Sequence, residues 1–210
     1  DLVGGVGNVI DNRIPQSPVQ GFTGRGEARA GGAERETAGS VVLETGDGRV
    51  ALHADAYTRD TDDLRIKGPN ISPRLQQADP ARAVTFGTLP NSAARAKGGA
   101  LGASMTWDRG YAGVSYAGTD TYYGTVAEPN VVIDMQSSRL DFAGELRDIG
   151  SFITGAKFKF GRTHYEHREV DLGIVGTTFR STGYDSRVEL THAKLGPLHG
   201  AIGAQFGDVD

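Results

Sequence analysis

Residues 98–122 read GGALGASMTWDRGYAGVSYAGTDTY. Leu101, Ala103, Met105 and Trp107 recur at every second position, Asp108-Arg109-Gly110 interrupts, and a second run begins at Tyr111. Successive side chains of a strand point to opposite faces, so a period of two places those four residues on one face. A short polar turn between two such runs makes a β-hairpin. The stretch is therefore a pair of long strands, Gly98–Trp107 and Tyr111–Tyr122, with one apolar face.

The pattern extends both ways. Upstream lie Val19–Gly31, Arg35–Thr45 and Arg49–Asp60, with Gly46-Asp47-Gly48 as a tight turn whose positive φ suits glycine. Val50, Leu52, Ala54 and Ala56 share one face of their strand, and His53, Asp55 and Tyr57 the other. Downstream lie Ile133–Arg147, Phe152–Glu166, Thr177–Thr191 and His199–Asp210. There Leu140, Phe142 and Leu146 oppose Arg139, Asp141 and Glu145, and Phe158 and Phe160 oppose Lys157 and Lys159. The total is about nine strands. Helical periodicity is scarce, and one short helix is expected at Asn91–Lys97. Residues 61–97 read as one long irregular connection, far beyond ordinary loop lengths.

Short turns (46–48, 108–110, 148–151, 194–198) alternate with longer loops (61–97, 124–131, 167–175); only the connection at 31–34 breaks the alternation. Strands well beyond the usual 5–6 residues or so, one apolar and one charged face, and this alternation fit an outer-membrane β-barrel with a wet lumen. A soluble sandwich would have shorter strands and more even loops.

Composition narrows the classes. Cysteine is absent, which excludes a disulfide scaffold, a cysteine zinc site and a thiol nucleophile. The net charge is −4 with both signs mixed, so no basic stripe is present for nucleic acid. No stretch approaches the ~20 apolar residues of a membrane helix. Glycine reaches 31 of 210 residues, about twice average usage. The early glycines lack the spacing of a dinucleotide or P-loop motif, and no GxSxG elbow frames a nucleophile. The chain is not expected to be an enzyme. Asp1 follows no leader pattern, and a strand pattern is still running at Asp210, so the reading expects a fragment of a larger protein.

The run Gly4-Gly5-Val6-Gly7-Asn8-Val9-Ile10-Asp11-Asn12-Arg13-Ile14-Pro15 resembles the end of the plug domain of TonB-dependent outer-membrane receptors, where a Gly-rich turn precedes a strand of the form NVxxxRIP. Its plug-end positions are Gly5, Gly7, Asn8, Val9, Ile10, Arg13, Ile14 and Pro15. The runs 133–139, 144–148, 165–167, 175–179 and 187–192 are similar to the zinc-uptake, ZnuD-type branch. The resemblance implies an all-β fold: an antiparallel transmembrane β-barrel segment, about nine strands of a barrel of about 22, preceded by the last strand of a plug. Residues 1–16 would end the plug and 17–210 would begin the barrel, with 61–97 as a long extracellular loop. The implied function is import of a scarce nutrient, zinc or another metal or metal chelate, energised by the TonB complex. That complex would act through N-terminal regions outside the chain. Outer-membrane lipid and lipopolysaccharide would surround the barrel. An outer-membrane barrel enzyme, a porin-like channel and a soluble β-rich adhesin or binding module remain the alternatives.

The densest nitrogen and oxygen ligand cluster is His164, Glu166 and His167, with Glu169 beyond. Imidazole and carboxylate suit Zn²⁺ as a transported ion, and alternation puts His164 and Glu166 on one face. The plainer reading is a solvated or lipopolysaccharide-facing rim. His53 and Asp55 would lie on the lumen wall, paired with plug groups. Trp107, Tyr111, Tyr122, Tyr123 and Phe152, at strand ends, are candidates for an aromatic girdle.

Overall fold

The computed structural model describes residues 11–210, and they are strand almost throughout. In order they form β1 (Gln20–Gly31), β2 (Glu36–Asp47), β3 (Val50–Thr61), β4 (Leu64–Pro69), the short helix α1 (Pro73–Ala78), β5 (Phe86–Leu89), β6 (Ala94–Trp107), β7 (Gly110–Thr125), β8 (Glu128–Arg147), β9 (Ile153–Asp171), β10 (Ile174–Leu195) and β11 (Leu198–Val209). Nine of the strands make one antiparallel sheet, in the order β1-β2-β3-β6-β7-β8-β9-β10-β11. β4 and β5 pair only with each other. The all-β class stands. Among the described residues the large sheet is not closed, and β1 and β11 each keep a free edge.

The β6–β7 hairpin has unbroken register from Ala94↔Tyr123 to Trp107↔Gly110, turning through Asp108-Arg109. Register then carries one face across the whole sheet. Phe22, Thr45, Leu52, Ala103, Val114, Phe142, Phe160, Ser186 and Phe206 form one row. Leu43, Ala54, Leu101, Tyr116 and Leu140 form the row above. This apolar face is the exposed one: Leu101 is 69% exposed, Met105 58% and Phe206 63%. The buried side chains of the sheet are Ala51, His53, Ala100, Ser104, Thr106, Tyr111, Ser115 and Ile133. By strand alternation all of them lie on the opposite face. A water-soluble sheet packs its apolar face on a core and wets the other; here the arrangement is reversed. From Gly99 to Trp107 the exposed face of β6 is apolar or glycine over about 27 Å at ~3.4 Å per residue, close to the ~25 Å apolar band of a membrane barrel.

Several expectations fail, each for a local reason. Asn91–Lys97 is not a helix. Asn91 takes φ +57 in a turn, and β6 starts at Ala94 because alternation continues through Arg95 and Lys97. The helix lies instead at Pro73–Ala78, where Ser72 accepts from the Leu75 N–H and Pro73 sits at the first helical position. The 61–97 connection is shorter than expected, since β3 runs to Thr61, and it carries β4, α1 and β5. No loop exists at 124–131 or 167–175. β8, β9 and β10 run 20, 19 and 22 residues and join through Val126-Ala127 and Leu172-Gly173. In the stretches expected as loops, charged and polar residues such as Glu128, Asn130, Arg168 and Glu169 break the apolar–polar alternation, so the pattern that marks a strand is lost there. With those loops gone, the alternation of short turns and long loops fails too. Residues 11–16 form no strand. The plug-end positions Gly5, Gly7, Asn8, Val9 and Ile10 lie outside the described residues.

Candidate functional site

The polar face of β2, β3, β6 and β7 receives the segment 11–16. Ile14 is 9% exposed and Pro15 is fully buried. Small residues open the room for this. A Cβ on Gly102 would come within 1.6 Å of the Arg13 carbonyl oxygen, and one on Gly113 within 2.5 Å of Ile14 Cγ2. Ser104 Oγ donates to the Pro15 carbonyl at 2.6 Å, which satisfies two buried polar groups at once.

A charged network ties the segment down. Arg13 Nε donates to Asp55 Oδ2 at 3.1 Å. The same Asp55 oxygen meets His53 Nε2 at 3.1 Å, and His53 Nδ1 meets Glu44 Oε1 at 3.0 Å. Asn12 Nδ2 donates to that Glu44 oxygen. The order is thus Arg13, Asp55, His53, Glu44, Asn12, spanning two strands and the segment. His53 is 6% exposed, and both its ring nitrogens are occupied by carboxylates, so it bridges them and has no free nitrogen for a ligand. Of the expected pairing with groups N-terminal to the sheet, Asp55 has it, through Arg13, whereas the partners of His53 are Glu44 and Asp55 within the sheet itself. Beside the network opens a cavity of about 750 Å³, lined by Arg13, Arg25, Ser40, Glu44, Asp55 and Tyr57.

Toward β8–β10 a second network lies on the same face. Arg139 reaches Asp141 at 2.8 Å, Asp185 at 2.9 Å and Thr163 at 2.9 Å. Alternation along β8 already puts Arg139 and Asp141 on one face, whereas Thr163 and Asp185 are far away in the chain and come to Arg139 only through the register of β9 and β10.

His164, Glu166 and His167 are separated by the sheet. His164 and Glu166 share the outer face above the apolar band, where Glu166 Oε2 accepts from Arg180 Nε at 2.6 Å. His167 is on the other face by alternation. There its Nδ1 meets the Tyr165 hydroxyl at 3.0 Å and its ring stacks on Phe179 at 5.4 Å. The three do not converge, and among the described residues no group of three or more His, Asp or Glu side chains is placed to hold a metal ion. Of the girdle candidates, Trp107 and Phe152 are exposed, whereas Tyr111 is 5% exposed on the polar face and takes no part in an outer girdle.

The 62–93 excursion is fastened at its end. Asn91 Nδ2 donates to the carbonyls of Thr125, Glu128 and Val131, and Asp63 Oδ1 accepts from the Ser92 and Ala93 N–H groups. The excursion is thereby bound to the β7–β8 turn. No family model matches the chain.

Proposed function

We propose that this chain is part of a TonB-dependent outer-membrane receptor. In this reading residues 17–210 are the first strands of a larger barrel, and the segment 11–16 is the end of a plug seated in its lumen. The nutrient carried is a metal ion or metal chelate, with energy supplied through the TonB complex. The observation that carries the reading is the reversed sheet: a band of exposed apolar side chains on one face, and buried polar side chains under a docked N-terminal segment on the other. Within hydrocarbon every backbone polar group needs an internal partner. The free edges of β1 and β11 therefore call for further strands. His164 and Glu166 stand above the band and His167 faces the lumen, so they act separately if they touch the cargo at all.

The test uses the full-length protein containing this chain. It is expected in the outer-membrane fraction, to migrate differently on gels when unheated and heated in SDS, and to restore growth of an uptake-deficient strain on limiting zinc. His164→Ala and His167→Ala would then be compared for zinc uptake at equal folded amounts. A protein that stays soluble without detergent and melts cooperatively in plain buffer overturns the reading in favour of a soluble β module.

A further inference from the structure

On the outer face the apolar band ends at one level. Leu101, Tyr116, Leu140, Arg162 and Tyr184 stand in one register row. At and above that row the outer positions of the strands carry five cations: Arg95, Lys97, Arg162, Arg168 and Arg180. Four are matched by carboxylates. Arg95 meets Asp60 at 3.1 Å, Lys97 meets Asp120 at 3.6 Å, Arg180 meets Glu166 at 2.6 Å, and Arg168 meets both Asp134 and Glu166. Arg162 differs. Among the described residues no carboxylate lies within 4.0 Å of it, Asp208 at the far end of its row included. Its guanidinium lies over the Tyr184 ring, 5.6 Å from the centroid.

The surroundings of Arg162 divide cleanly. Below it Phe160 packs against Phe142 at 6.2 Å and against Tyr184 at 6.4 Å, an aromatic ladder on the apolar band. Above it stands His164, whose Nδ1 meets Thr182 Oγ1 at 3.3 Å. An arginine at the edge of hydrocarbon lays its stem on apolar surface and keeps its head at the polar level. Tyrosine belongs at the same level. An unmatched cation there is costly unless an anion arrives, and the planar guanidinium suits a phosphate in a two-bond fork.

We propose that Arg162, held over Tyr184, is the headgroup site for an anionic lipid of the outer leaflet, with the lipid phosphate on the guanidinium and an acyl chain along Phe160 and Phe142. This rests on the membrane-barrel reading above. The self-matched pairs around it supply no comparable site, because each of those cations already has its anion.

The experiment folds the full-length protein into phosphatidylcholine vesicles with or without lipid A or phosphatidylglycerol, and counts retained lipid by native mass spectrometry. Wild-type protein retains anionic lipid in preference to phosphatidylcholine. Arg162→Gln loses about fivefold of that retention, the effect of one cation at a membrane surface, and Arg162→Lys loses less. Removing a matched pair, Lys97→Gln with Asp120→Asn, changes nothing. The gel-mobility shift on heating certifies that each variant is folded. Equal retention by folded Arg162→Gln overturns the proposal and leaves the barrel reading standing. Displacement of the lipid by inorganic phosphate overturns the lipid assignment in favour of a free-anion site. Failure of the wild type to enter vesicles of any composition overturns the barrel reading and this proposal with it.

Discussion

The carbonyl oxygen of Arg13 occupies the place that a side chain at Gly102 would need: a Cβ built there would stand 1.6 Å away from it. The obstructing atom is backbone, so no rotamer change relieves the clash. Gly102→Val should therefore lift the 11–16 segment off the sheet, break the Ser104–Pro15 hydrogen bond and expose Ile14, at a cost of about 1–3 kcal/mol. Gly118→Ala is the control, since nothing lies within 4 Å of a Cβ there. Hydrogen exchange at residues 11–16 should accelerate in the first variant alone; unchanged protection in Gly102→Val would refute the docking geometry.

Asp55 has two partners where Arg13 has one strong one. Asp55→Asn removes the charge that faces both Arg13 and His53, whereas Arg13→Gln leaves the His53–Asp55 contact in place. Asp55→Asn should cost the larger amount. A double-mutant cycle between the two should give a coupling of about 1 kcal/mol, modest because Arg13 remains 32% exposed. Equal single costs with no coupling would contradict the network.

Leu172 sits at φ +48 beside Gly173 at φ +84, in the two-residue turn joining β9 to β10, and is 75% exposed. The left-handed region penalises leucine, and such turns favour Asn-Gly. Leu172→Asn should stabilise the hairpin by about 1 kcal/mol. The readout is the urea midpoint of the detergent-folded protein, and a fall in that midpoint would count against the turn.

Asp47 ends β2 and accepts from the Val50 and Arg49 N–H groups, at 2.8 Å each. Those donors, Val50 first, hold its pKa below the ordinary aspartate range. The ionised form is favoured by folding, so the stabilisation is present above the unfolded pKa and disappears as pH falls through the lowered folded value. The stability gap between wild type and Asp47→Asn should be level near neutrality and should shrink below about pH 4. A gap independent of pH would mean that the charge plays no part in the turn.

The strands were legible wherever one face is apolar and the other is not. Leu101, Met105 and Trp107 declare β6, and Phe158 and Phe160 declare the lower part of β9. Legibility ends at Glu166: beyond it Arg168 and Val170 alternate with His167, Glu169 and Asp171, a mixed pattern that does not mark a strand, although β9 continues to Asp171. The same blindness separated His167 from its supposed companions only once alternation was followed through the whole of β9. The Arg13–Asp55 pairing was foreseen in outline because an acidic residue on the polar face needs a partner. The triple role of Asn91 was not, since its acceptors are backbone carbonyls that no sequence pattern identifies. The helix at 73–78 had a usable signal in Ser72-Pro73.

The strand order of the sheet follows chain order, with a single excursion between β3 and β6. Apart from that excursion every pairing joins strands consecutive in the chain, so most of the loop-closure entropy is met a few residues at a time. Such a meander can assemble as a series of hairpins, each forming within about 1–10 μs in isolation and each offering its free edge to the next. Chain closure between β3 and β6 is the slow exception, and Asp63 at the start of that excursion is bonded to Ser92 and Ala93 at its end. Folding speed should therefore respond more to the length of the 62–93 excursion than to insertions at any of the tight turns.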